Sequence, residues 1–131
     1  MAYYVDTSAV LKLVVKERET TALLAWSRQH EGHLVASDLT RTELLRATRR
    51  TAPDRLAQAR VVLETLTLLS LPTDLFQRAA TLDPDLLRTL DALHLAAALA
   101  LGDDLDGLVT YDERLASAAA ANGVPVLSPG A

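Results

Sequence analysis

Short apolar runs separated by amphipathic stretches recur along the chain. Tyr3 to Val5 is an aromatic and β-branched run, the polar triplet Asp6-Thr7-Ser8 follows it, and an amphipathic stretch extends from Ala9 to about Val15. That order predicts strand, turn and helix. It returns at Leu34 to Ala36 with a helix from about Leu39, at Leu68 to Leu71 with a helix from Thr73, and at Leu108 to Thr110 with a helix from Asp112. Val124 to Leu127 supplies a last strand, and Glu19 to His30, Pro53 to Thr67 and Asp91 to Leu101 are further helices. Pro53 and Pro72 stand near helix starts, where a missing N–H costs little. Short strands alternating with helices imply a parallel sheet, because parallel neighbours need crossovers and the crossovers are usually helices. The expected class is α/β, a three-layer α/β/α sandwich around a mainly parallel sheet of about five strands.

Size and composition narrow this further. With 131 residues, half of them hydrophobic, the chain suits one domain over 1–131 with no second catalytic domain. The net charge of −4 provides no global basic field, so any nucleic acid would be held by local contacts. There is no cysteine, which removes disulfides, thiolate ligands and a cysteine nucleophile. No basic segment precedes the first apolar run, and Asp6 and Lys12 interrupt it, so a signal peptide is not expected. The most apolar stretch, Leu93 to Leu101, falls far short of the roughly 20 residues of a membrane-spanning helix. A soluble, cytoplasmic protein is expected.

In open α/β sheets ligands lie beyond the carboxyl ends of the strands, so polar residues just after strands are the first candidates for chemistry. Asp6 follows the first strand, Asp112 follows the fourth after Thr110-Tyr111, Glu43 lies early in the helix after the second, and Asp91 opens the apolar helix before strand four. Carboxylates brought together raise one another's pKa unless a cation neutralises them, which suits a hard divalent ion, Mg²⁺ or alternatively Mn²⁺. Such an ion both activates water and neutralises charge on a phosphodiester, so the implied reaction is metal-assisted hydrolysis. The competing reading is helix capping. Asp6, Asp91 and Asp112 all suit N-caps, and Thr40-Arg41-Thr42-Glu43 suits a capping box. Asp6 favours the metal, because an unpaired charge at the end of a buried strand is costly.

These residues resemble the PIN-domain nucleases, and within them the VapC toxins of bacterial toxin–antitoxin systems. Val5-Asp6-Thr7-Ser8-Ala9 resembles the family's opening motif, Thr42-Glu43-Leu44 its second, Asp91-Ala92-Leu93-His94-Leu95-Ala96 its third and Thr110-Tyr111-Asp112-Glu113-Arg114-Leu115 its fourth; Gly123 with Val124-Pro125-Val126 resembles its closing strand. The resemblance implies a metal-dependent endoribonuclease in which Asp6, Glu43, Asp91 and Asp112 hold Mg²⁺ or Mn²⁺, with Ser8 and Thr110 placing hydroxyls nearby. Asp85 is the reserve for the third acid. The same resemblance implies an RNA substrate, a VapB-like antitoxin packed against the early helices around Leu11 to Val15 and Leu44 to Leu45, and a homodimer.

Other features are weaker. Between Asp38 and Arg60 stand six arginines and three acids, and Arg46, Arg49 and Arg50 share one helix face, suited to RNA phosphates, to an acidic antitoxin segment or simply to solvent. Five aromatic residues are too few for a base-stacking platform. His94, three residues after Asp91, is read as a core or interface histidine and left out of the site. Asp104-Leu105-Asp106-Gly107 lacks the further ligands of a calcium loop, since Leu115 stands where its glutamate belongs. Arg114 is expected to pair with a nearby acid or cap local backbone groups. An aspartate-based phosphatase would want Asp at Ser8 and a late lysine, whereas the only lysines are Lys12 and Lys16. The remaining alternative is a catalytically silent PIN-fold interaction module.

Overall fold

The computed structural model describes all 131 residues. Five short strands, β1 (Ala2–Val5), β2 (Leu34–Ser37), β3 (Thr67–Leu69), β4 (Leu105–Val109) and β5 (Val126–Leu127), form one sheet in the order β3-β2-β1-β4-β5. Every neighbouring pair is parallel. The helices are α1 (Thr7–Val14), α2 (Thr20–Gln29), α3 (Asp38–Thr51), α4 (Leu56–Glu64), α5 (Thr73–Ala80), α6 (Thr89–Leu99) and α7 (Glu113–Ala121).

Alternation along the central strands builds the layers, because successive side chains of a strand point to opposite faces. Tyr4, Val35 and Leu108 point into one core with Leu75 of α5, Leu95 of α6 and Leu115 of α7. Their neighbours Val5, Ala36 and Val109 point into the other, with Val10 of α1, Leu23 of α2, Leu44 of α3 and Leu63 of α4. The result is the expected three-layer sandwich. No helix is long and apolar enough to cross a membrane.

Several boundaries differ from the sequence pattern: β3 is Thr67–Leu69, β5 is only Val126–Leu127, and α1 starts at Thr7. Strand β4 begins at Leu105, not Leu108, and runs through Gly107. A Cβ on Gly107 would collide with the Leu127 side chain and lie 3.2 Å from Pro125 O, so a side chain here would force Leu127 and the start of β5 to shift. The stretch 53–67 is not one helix: a 3-10 turn at Pro53–Arg55 leads into α4, and Thr67 already belongs to β3.

The chain order sets the position of the site. From β1 the chain builds outward through β2 and β3, then returns to the other side of β1 for β4. The crevice at such a reversal opens at the carboxyl ends of the two central strands. Asp6 directly follows β1 and Thr110 directly follows β4, so both stand at that opening.

Candidate active site

Asp6 is 4% exposed. Its Oδ1 accepts the Ser8 hydroxyl at 2.7 Å and the Ala9 N–H at 3.1 Å, and its Oδ2 accepts the Thr110 hydroxyl at 2.7 Å. The two hydroxyl oxygens lie 3.4 Å apart, so β1 and β4 are tied together across the carboxylate. Burial raises the Asp6 pKa, and the hydrogen bonds from Ser8, Thr110 and Ala9 oppose that without cancelling it. Asp6 caps α1, and its burial makes the ionised form costly without a cation nearby.

Glu43 sits in the second turn of α3 and reaches α1 and α6. Its Oε1 accepts the Thr7 hydroxyl at 2.7 Å and lies 2.6 Å from Nε2 of His94. Burial raises the Glu43 pKa, but the hydrogen bond and charge of His94 and the Thr7 hydroxyl outweigh it and hold the carboxyl below its usual range. An ionised carboxylate only accepts, so Nε2 carries the proton that joins the two. His94 is 2% exposed, and its Nδ1 lies 2.8 Å from the Tyr4 hydroxyl. It is a satisfied core histidine that also fixes one of the acids, a role the sequence pattern did not suggest. Its place three residues after Asp91, on the same helix face, was the available signal.

Asp91 and Asp112 meet through a cation that sequence reasoning missed. Arg88 Nε donates to Asp91 Oδ2 at 3.2 Å, and its Nη2 donates to Asp112 Oδ2 at 3.3 Å. Arg114, expected to find an acid, forms no ion pair. Asp112 uses Oδ1 to cap α7, accepting the N–H groups of Arg114 at 2.9 Å and Leu115 at 3.2 Å. Its own N–H donates to the Thr110 hydroxyl at 3.0 Å, which links it to Asp6. Asp85 is exposed in the preceding loop and forms no ion pair, so Asp91 is the acid the fold turns toward Asp112.

Capping is thus settled residue by residue. Asp6 and Asp112 are caps. Asp91 is the third residue of α6, whose N-cap is Arg88, and the capping box at Thr40 does not form because α3 starts two residues earlier, at Asp38. One partner expectation also needs correction: Leu44 is fully buried in the chain's own core and offers nothing to an antitoxin, while Leu11, Leu13, Val15 and Leu45 keep partial exposure.

The arrangement strings four acids along one opening without packing them into a preformed cage; no three of them stand close enough to hold an ion as the side chains lie. The donor chemistry nevertheless suits a hard divalent cation. All the candidate ligands are oxygens, Asp6 is buried with a raised pKa, and Arg88 already shows that Asp91 and Asp112 take a cation between them. Beside the acids lies an open hollow of about 800 Å³ that Thr7 and Glu43 share with Arg46, Arg50 and Phe76.

The PIN domain model matches residues 3–121. The chain belongs to the PIN-domain family. Within it the chain falls in the VapC group. It is 41% identical over 132 residues to ribonuclease VapC47 of Mycobacterium tuberculosis (strain CDC 1551 / Oshkosh), covering 98% of this chain and 97% of that one. It is also 41% identical over 128 residues to ribonuclease VapC46 of the H37Rv strain, covering 98% of each. Among solved structures, VapC20 of M. tuberculosis, a toxin that cleaves the sarcin-ricin loop, superposes with a TM-score of 0.79 at 15% identity, over 98% of this chain and 100% of that one. A chain of a toxin–antitoxin complex from Klebsiella pneumoniae superposes with a TM-score of 0.72 at 22% identity over 98% of each. Both confirm the PIN fold.

Proposed function

We propose that this chain is a metal-dependent endoribonuclease acting as the toxin of a toxin–antitoxin pair. The observation that carries the reading is the buried Asp6 carboxylate at the sheet's topological switch point, fixed by hydroxyls from both central strands. Its relatives of 39–41% identity bear the name ribonuclease VapC, and the Klebsiella neighbour is a chain of a toxin–antitoxin complex, which supports the same conclusion.

Asp6, Glu43, Asp91 and Asp112 would hold Mg²⁺ or Mn²⁺, with Ser8 and Thr110 at hand for its waters. When bound, the ion supplies an activated water and neutralises charge on the phosphodiester. The chain's own residues do the rest. Ser8 and Thr110 hold both oxygens of Asp6 in one orientation, His94 and Thr7 keep Glu43 ionised, and the α7 cap keeps Asp112 from turning away. We further propose a cytoplasmic location, a homodimer and a VapB-like antitoxin at the partly exposed side chains Leu11, Leu13, Val15 and Leu45. A catalytically silent module would not need the Asp6 charge, and an aspartate-based phosphatase is disfavoured because Ser8 occupies the position of its second acid.

The test is cleavage of labelled RNA by the purified protein with MgCl₂ or MnCl₂. Asp6→Asn and Asp91→Asn are each expected to lower the rate at least about a hundredfold, and EDTA to abolish it. Cleavage that persists in both variants and in EDTA would refute the reading.

A further inference from the structure

Arg88 is the only basic residue in contact with two of the four acids, and its geometry is that of a side chain held for use. As the N-cap of α6 its backbone is extended, and its side chain makes no capping bond. It reaches instead toward the start of α7, where Nε and Nη2 are committed to Asp91 and Asp112. A guanidinium carries five N–H donors in a rigid fork, so the Nη1 edge remains available while the other edge is anchored. The side chain is 62% exposed even with both bonds made. It lines an open hollow of about 530 Å³ together with Asp91 and Arg114, distinct from the hollow that Arg46 and Arg50 line.

The charge balance requires such a group. The four carboxylates concentrate negative charge at the opening, and a phosphodiester approaching it is repelled at short range, where screening is weak. We infer that Arg88 contacts a phosphate of the RNA strand at the acid centre, with Asp91 and Asp112 acting as the brackets that aim its free edge. This rests on the ribonuclease reading above. Arg46, Arg49 and Arg50, by contrast, pair with none of the four acids. A lysine at position 88 would keep the charge but could not hold both carboxylates and a phosphate in one plane.

The experiment measures two quantities on wild type, Arg88→Ala and Arg88→Lys. Affinity for a fluorescein-labelled, single-stranded RNA 12-mer is read by anisotropy in EDTA across a salt series, and Mn²⁺ affinity is read by calorimetry without RNA. Arg88→Ala is expected to weaken RNA binding about tenfold and to flatten the dependence of log K on log salt by roughly 0.7, the value for one phosphate of a single strand left unneutralised. Arg88→Lys should keep most of the salt slope and lose part of the affinity. Mn²⁺ affinity should hold or tighten, because a competing cation has gone. RNA affinity within twofold of wild type in Arg88→Ala would overturn the inference and leave Arg88 a plain counter-ion. A collapse of Mn²⁺ binding would also overturn it, by making Arg88 an organiser of the acids. If binding depends on Arg88 as expected but wild type cleaves no RNA with Mg²⁺ or Mn²⁺, the ribonuclease reading fails and the phosphate contact stands.

Discussion

Asp6 and Glu43 are both carboxylates at the carboxyl edge of the sheet, and the protein treats them in opposite ways. Glu43 receives a histidine and a hydroxyl, and its pKa falls; Asp6 receives hydroxyls and one backbone N–H, and burial still raises its pKa. The second case has a consequence for stability. A carboxyl whose pKa is higher in the folded chain than the 3.8 of the free group binds more protons folded than unfolded between those two values, so stability falls as pH rises through that window. The penalty is fully present above the folded pKa and absent below 3.8. Asp6→Asn removes the charge while keeping a carbonyl oxygen for the Ala9 cap. In metal-free buffer at pH 7 the variant should melt above wild type, with the gain shrinking as pH falls through the folded pKa and gone in strong acid. The same substitution should abolish RNA cleavage. A lower melting temperature at pH 7 would show that the hydrogen bonds to Ser8 and Thr110, not desolvation, govern this carboxylate.

At the scale of elements, α3 contains an internal conflict. Thr40 and Thr48 lie on its buried face, and their hydroxyl oxygens have no hydrogen-bond partner. A buried hydroxyl without a partner keeps its desolvation cost and gains nothing, so Thr48→Val, which preserves shape and removes the orphan, should stabilise the domain by about 1 kcal/mol in urea denaturation. Destabilisation instead would mean that the hydroxyl is paired in solution. Elements such as these also show what could be read in advance. The apolar and β-branched runs placed all five strands, and the polar residues after β1 and β4 placed Asp6 and Thr110, because both signals are local. The start of β4 was hidden because Leu105-Asp106-Gly107 resembles a turn until Gly107 is seen as the space that β5 occupies. His94 and Arg88 were hidden because their importance lies in what they touch across the sheet or between helices: Glu43 and Tyr4 in one case, Asp112 in the other. Their spacing from Asp91 was visible in the chain; the distant partners were not.

At the scale of the whole molecule, an acidic protein with four acids at its centre must still bring a polyanion to them. The net charge of −4 works against it, so attraction has to be local. Arg46, Arg49 and Arg50 are exposed on α3 and together line a small hollow, and none of them is paired with an acid. Two of them, Arg46 and Arg50, also face the larger hollow that contains Thr7 and Glu43, so this ridge is continuous with the site. Arg88, paired with Asp91 and Asp112, adds a further guanidinium at the acids themselves. The triple variant Arg46→Ala, Arg49→Ala, Arg50→Ala should therefore weaken RNA binding and flatten the salt dependence by roughly 2, at about 0.7 for each phosphate that the variant no longer neutralises on a single strand. Its unfolding free energy should stay within about 0.5 kcal/mol of wild type, since no folded-state partner is removed from an exposed face. An unchanged salt slope, with loss of antitoxin co-purification, would assign the ridge to the protein partner and leave Arg88 as the principal phosphate contact.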